Sequence, residues 1–190
     1  MTIPTRRATT TDATQHRILD AATETFAGRG FSAATMADVV GRSGAGVASI
    51  YRYFGGMREL FVAVFDRLVT DIDRHIDEAA SAQEGDGSAF EAATRAYLEA
   101  LWRHRRVAAA YASGDVPGGF AAVRESSLRR ALHRWAPASA LDPSPRGQLV
   151  NRMLTAIMAE ASSLVILCDD RSDVALITDA TIEAIDRVTR

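Results

Sequence analysis

Apolar residues recur along this chain at helical intervals, and nowhere do they alternate over a length that would make a strand. Ile18, Ala22 and Phe26 stand at i, i+4 and i+8, and Phe61, Phe65, Leu68 and Ile72 form a second stripe of the same kind. Each such segment carries one apolar face, which is stable only when packed against other helices. The chain is therefore expected to be all-α, with about eight or nine helices.

Breaks in the pattern place the helices. Asp12 is the expected N-cap of a first helix ending near Gly28 or Gly30. Ser32 or Ala33 leads into a short second helix, Thr35–Ser43, where Met36, Val39 and Val40 keep helical spacing and Gly44 supplies the stop. A third helix, Val47–Phe54, closes on Gly55 and Gly56, and Met57 opens a long fourth. Past the Gly85–Ser88 break, Ser88 is the expected cap of a helix carrying Phe90, Tyr97 and Leu101, and a shorter segment runs through Tyr111. The loop Ser113–Gly119 precedes a helix with Val123, Leu128, Leu132 and Trp135, and Pro137, Pro143 and Pro145 make the next break. A nearly all-round apolar helix from Arg146 to Cys168 and a last amphipathic one with Val174, Ile177, Thr181, Ile185 and Val188 complete the chain.

Composition removes several kinds of chemistry. All 22 basic residues are arginine, so Walker-type phosphate loops, Schiff bases and Ser-Lys nucleophile pairs are absent together. The one cysteine, Cys168, forms no internal disulfide and supplies no multi-thiolate metal site, which fits a reducing cytoplasm. His16, His75, His104 and His133 lack metal-ligand spacing. No enzyme activity, cofactor or metal is expected. The N-terminus, MTIPTRRATTTD, has no apolar signal region, and the longest apolar run, Leu164–Cys168, is too short to cross a bilayer. A cytoplasmic protein with no membrane partner is the expectation. Charge is unevenly spread: residues 1–58 hold seven arginines and four acids, a balance of +3, against −5 for residues 59–190. A basic front end suits contact with phosphates.

The stretch GAGVASIYRYF, Gly44–Phe54, admits two readings, a glycine-rich phosphate loop or the turn and second helix of a DNA-reading motif. A dinucleotide loop needs a strand before it. Here a helical segment precedes it, and Asp66, at the spacing of a ribose-binding acid, lies inside the helical FVAVFDRL. The alternative fits: a short helix, a glycine-containing turn and a second short helix make a helix-turn-helix. Ile50 and Phe54 are expected to bury against Val39, Val40 and Phe26. Val47, Ala48, Tyr51 and Arg52 then face a major groove, Val47 and Ala48 as contacts to thymine methyls or as plain helix surface. Gly46 lets backbone N–H groups approach a phosphate.

Ile18-Leu19-Asp20-Ala21-Ala22, Phe26-Ala27-Gly28-Arg29-Gly30-Phe31, Thr35-Met36-Ala37-Asp38-Val39, Gly44, Ser49-Ile50-Tyr51-Arg52-Tyr53-Phe54 and Glu59-Leu60, in this order and spacing, closely resemble the N-terminal domain of TetR-type (tetracycline-repressor-like) transcriptional regulators. The resemblance covers about residues 12–62. It implies a flexible arm over 1–11, a DNA-binding domain over 12–56 and a ligand-binding and dimerisation domain over 57–190. It further implies a homodimer acting as a repressor on a palindromic operator in double-stranded DNA, with a small-molecule effector. Carried over by position, Thr35, Ser49, Tyr51 and Tyr53 match phosphate- or base-touching positions, with Arg42, Arg52 and Arg58 adding charge beside them. The chain departs from the family at Gly46, in place of a hydroxyl cap, at Val47, in place of a polar or basic residue, at Tyr53, in place of histidine, and at Met57, in place of lysine. Each lost cationic contact removes about one unit of salt dependence, which Arg58 is placed to restore, with Arg6 and Arg7 either reaching phosphates or a minor groove or belonging to a solvated tail.

In the larger domain the stripes include Phe61, Trp135 and Met158, and the candidates for an apolar effector cavity are Phe65, Tyr97, Trp102, His104, Tyr111, Phe120 and Met153. Arg103, Arg105 and His133 are candidate polar handles. Ala156, Ala159, Ala161, Ser162 and Ser163 allow close helix approach, so the last two helices are expected to pair with their copies, and Glu160 is either exposed or held by an arginine across that interface. The alternative of a different class is a helical small-molecule-binding protein with a weakened or lost DNA-binding head.

Overall fold

The computed structural model describes residues 6–82, 89–135 and 142–189, and these are helices joined by turns. In chain order they are α1 (Arg6–Arg29), α2 (Met36–Ser43), α3 (Val47–Phe54), α4 (Met57–Ser81), α5 (Ala89–Arg103), α6 (Arg105–Ala112), α7 (Phe120–Trp135), α8 (Pro145–Leu167) and α9 (Arg171–Thr189). The expected cap Ser88, the break at Pro137, residues 1–5 of the arm and the side chains of Arg6, Arg7, His133 and Trp135 lie outside the described residues. The start of α1 corrects the sequence reading: the helix begins at Arg6, so Asp12 is not its cap and residues 6–11 are helix rather than arm. Neither glycine nor proline interrupts Arg6–Asp12.

The chain divides into two compact units, Met1–Leu68 with Ala109–Pro117, and Val69–Ala108 with Gly118–Arg190. The first unit therefore extends past residue 56 into α4. Its core explains why: Ile18, Ala22 and Phe26 of α1, Val39 of α2, Ile50 of α3 and Leu60 and Phe61 of α4 are all wholly buried, each large side chain contributing roughly 1.5–3 kcal/mol. The Phe61 ring meets Phe26 edge-on at 4.9 Å, Phe31 at 5.1 Å and Tyr111 at 4.4 Å. The guanidinium of Arg67 donates to Asp20 at 2.7 Å, to the Leu19 carbonyl at 3.3 Å and to Thr23 at 2.5 Å, tying α4 to α1.

In the second unit α8 and α9 form a helical hairpin. Ser144 caps α8, its hydroxyl accepting the Gly147 N–H at 3.2 Å with Pro145 at the first helical position, and Asp170 accepts the Ser172 N–H at 2.8 Å to start α9. Val150, Leu154 and Met158 pack with Ile185, and Leu98 of α5 packs with Ala161, Val165 and Val174. The other side of α8 is different: Leu149, Met153, Leu164 and Leu167 are exposed, as is Leu176 on α9. By length and composition α8 as a whole is apolar enough to cross a membrane, which the short run Leu164–Cys168 alone did not suggest. Val150, Leu154, Met158, Ala161 and Val165 place one side of it in the core of this unit.

Candidate nucleic-acid interface

Local chemistry builds the α2-turn-α3 element from both ends. Thr35 caps α2 in a reciprocal box: its hydroxyl accepts the Asp38 N–H at 3.2 Å, and the Asp38 carboxylate accepts the Thr35 N–H at 3.0 Å. The Thr35 hydroxyl donates its proton to the same carboxylate at 2.6 Å. These bonds, the side-chain one first and the backbone one next, hold the Asp38 carboxyl below the usual carboxylate range. At the other end Gly44 takes a left-handed φ of 64° and donates its N–H to the Val40 carbonyl at 3.0 Å. Buried Ser43 accepts the N–H of buried Ala45 at 3.2 Å, fixing the turn that aims α3.

Helix α3 sits on Ile50, which is 0 % exposed, with Phe54 half-buried beside it. With Ile50 fixing the seat, 3.6-residue periodicity sends Val47, Ala48, Tyr51 and Arg52 outward. All four are exposed, Val47 at 46 % and Tyr51 at 52 %. Ser49 and Tyr53 are half-buried at the margin of this face, and Arg42 and Arg58 are exposed. The Arg52 guanidinium lies 4.8 Å from the centroid of the Tyr53 ring and donates to its hydroxyl at 3.0 Å, so the tyrosine standing at the family's histidine position holds an arginine at the edge of the face. Of the expected contacts, the Thr35 hydroxyl is also engaged in the cap of α2.

Gly46 is the N-cap of α3, with φ −67° and ψ 145°, no side-chain cap and nothing within 4 Å of where a Cβ would stand. Gly46→Ser therefore adds a hydroxyl able to accept a first-turn N–H and removes freedom from the unfolded chain. Thermal denaturation should show a gain of roughly 0.5–1 kcal/mol.

Residues 18–64 match the model for bacterial regulatory proteins of the tetR family. The N-terminal domain is a TetR-family domain. No curated protein matches the chain by sequence. Solved structures match it nearly end to end: a transcriptional regulator of the TerR/AcrR family from Aquifex aeolicus is 16% identical with a TM-score of 0.70, covering 92% of this chain and 99% of that one. A TetR-family regulator from Streptomyces coelicolor is 19% identical with a TM-score of 0.60, covering 94% and 95%. The fatty acid degradation regulator FadR from Bacillus halodurans is 13% identical with a TM-score of 0.67, covering 90% and 97%. The chain as a whole thus has the TetR-type fold, an N-terminal helix-turn-helix domain followed by a larger helical domain.

Of the expected effector residues, Phe65 and Tyr111 fall in the first unit and Tyr97, Trp102, His104, Phe120 and Met153 in the second. Phe65 and Tyr111 belong to the core of the TetR-type head unit, their rings 5.2 Å apart and the Tyr111 hydroxyl donating to the Phe61 carbonyl at 2.9 Å. Burial pushes the Tyr111 phenol far above its ordinary pKa. In the second unit, the Trp102 indole donates to the Cys168 carbonyl at 3.2 Å and its ring carries the Arg105 guanidinium at 4.7 Å. His104 is half-buried at the α5–α6 junction, Phe120 is buried and Met153 is on the exposed side of α8. Arg103 bonds Glu99 at 3.3 Å and His75 at 3.0 Å. Tyr97 lines a space of about 20 Å³ bounded by Ile76, Phe90, Thr94, Leu128 and Met158 among others.

Sequence reasoning missed the pair that ties the α1–α2 loop to the loop after α6. The Asp115 carboxylate accepts the Ser32 N–H at 3.0 and 3.1 Å and the Ser32 hydroxyl. The residues are 83 apart in the chain, and no local signal joins them.

Proposed function

We propose that the protein is a DNA-binding transcriptional regulator, a repressor that as a homodimer holds two α3 faces against a palindromic operator and releases it on binding a small effector. The observation that carries this reading is the outward face Val47-Ala48-Tyr51-Arg52 on a helix seated by Ile50. Dimerisation through α8 and α9 accounts for Leu149, Leu164, Leu167 and Leu176, whose exposure leaves an apolar strip that a second copy would cover. Met153, first expected at the effector, fits this strip instead, and so does exposed Glu160 among the small residues Ala156, Ala159 and Ser163. Effector release requires that a ligand favour one conformation of the dimer over another.

The test is gel retardation of the chain's own upstream DNA at low and moderate salt, with the mass measured by light scattering. Retardation that weakens as salt rises, with a dimer mass at micromolar concentration, is expected. A monomer at that concentration overturns the dimer. Absence of retardation at both salts favours the alternative, a helical small-molecule-binding protein whose head no longer holds DNA, a reading motivated by Val47 and Met57 at positions where the family carries polar or basic groups.

A further inference from the structure

We propose that Tyr53 is a positioning residue for Arg52, holding its guanidinium as a fixed fork that reads one guanine in each half-site of the operator. The inference rests on the DNA-binding reading above and names a base that the α3 face takes. The family resemblance puts Tyr53 among positions that touch phosphates or bases directly; here its work passes through its neighbour.

Helix geometry turns Arg52 towards base edges. It lies about 200° round α3 from Ile50, so its side chain rises from the middle of the outward face, opposite the buried seat. One turn earlier on the same line stands exposed Ala48, whose methyl leaves that line uncrowded. A recognition helix seated in a major groove turns the middle of its outward face to the bases.

Tyr53 fixes where the fork lies. The Arg52 guanidinium sits 4.8 Å from the centroid of the Tyr53 ring, and its Nη2 donates to the Tyr53 hydroxyl at 3.0 Å. The ring is half-buried, and so less free to move than the exposed arginine it supports. Helix α3 contains no acid, and among the described residues Arg52 forms no ion pair, so its charge stays available to a ligand. Of the five guanidinium N–H donors one goes to Tyr53, which leaves the others for DNA.

The tether favours a base over a phosphate. An arginine held before binding loses less rotamer freedom when it binds, and its plane is set before the DNA arrives. Orientation counts most where the acceptors are coplanar. Guanine offers O6 and N7 in one plane to a bidentate fork, the commonest specific contact of arginine, whereas a phosphate takes a cation from many directions.

The test selects binding sites from random duplex DNA with the native full chain. Retardation is then measured on the selected duplex and on the same duplex with single guanines replaced by adenine. For the native chain one guanine per half-site is expected to matter on the order of tenfold to a hundredfold. Arg52→Ala should bring that ratio close to one. Tyr53→Phe, which keeps the ring and removes the acceptor, should lower the ratio about threefold to tenfold and leave the salt slope unchanged, because the charge remains. In the Arg52→Ala background Tyr53→Phe should change nothing further. The ratio compares two duplexes on one protein, so a fall in the folded fraction of any variant cancels from it. A ratio indifferent to Tyr53→Phe, or a loss from Tyr53→Phe that persists beside Arg52→Ala, overturns the positioning role. Equal losses on both duplexes with Arg52→Ala, the salt slope falling by about one, make Arg52 a phosphate contact and overturn the guanine. In each of these cases the native chain still retards DNA and the regulator stands. A native chain that retards no duplex at low or moderate salt takes both readings down.

Discussion

Ile50→Ala should destabilise the first unit by roughly 2–4 kcal/mol, while Tyr51→Ala, the next residue along, leaves stability within about 0.5 kcal/mol and lowers DNA affinity tenfold or more. The contrast follows from the seating of α3. Ile50 is wholly buried, as are Phe26, Val39 and Leu60 of the same unit, so removing its outer carbons leaves a hole that a close-packed core fills only in part. Tyr51 is 52 % exposed and its loss opens no such hole. Urea denaturation followed by helical circular dichroism reads the first effect and retardation of operator DNA the second. Arg42→Ala supplies the control for charge: it should weaken binding evenly across DNA sequences and lower the salt slope by about one, whereas Tyr51→Ala should relax preference at particular bases. If Tyr51→Ala proved as destabilising as Ile50→Ala, the outward face would be misassigned.

What could be read from the sequence was what local chemistry decides. The bounds of α2 and α3 follow from Thr35, Gly44, Gly46 and Gly55, each acting on backbone within a turn of itself, and those helices stand where expected. The start of α1 was misread because Asp12 is a good capping residue in a segment that nothing else interrupts, and the helix continues back to Arg6. Among aromatic and thioether side chains, identity alone fixed neither burial nor location, since Tyr51 and Met153 are exposed. Phe65 and Tyr111 went to the aromatic core of the first unit, and Met153 and Met158, on one helix, went to the surface and the cavity respectively. That division depends on which neighbouring helices α8 meets, information held by residues far away in the chain. The Ser32–Asp115 pair is the extreme case, since neither residue has any pattern around it that names the other.

This same pair makes Gly30→Ala the second large effect. Gly30 ends α1 with φ 73° and donates its N–H to the Phe26 carbonyl at 2.9 Å. A side chain in that left-handed backbone costs roughly 1–2 kcal/mol by itself. The new Cβ would also overlap the nearer Asp115 carboxylate oxygen, so the carboxylate must turn away and give up its bonds to Ser32. Gly30→Ala in the native chain should therefore cost more than the backbone strain alone, and in an Asp115→Ala background it should cost only that strain, a non-additivity measurable by urea denaturation of the four chains. Acid should reveal the carboxylate separately. Its bonds to the Ser32 hydroxyl and then to the backbone N–H groups hold the Asp115 pKa below the ordinary range, so its contribution is complete above a pH of about 3.9 and is lost as pH falls through the lowered folded value. Asp115→Ala and Gly30→Ala should both remove that part of the acid dependence, and equal acid profiles in all four chains would show that the carboxylate does not hold the loop.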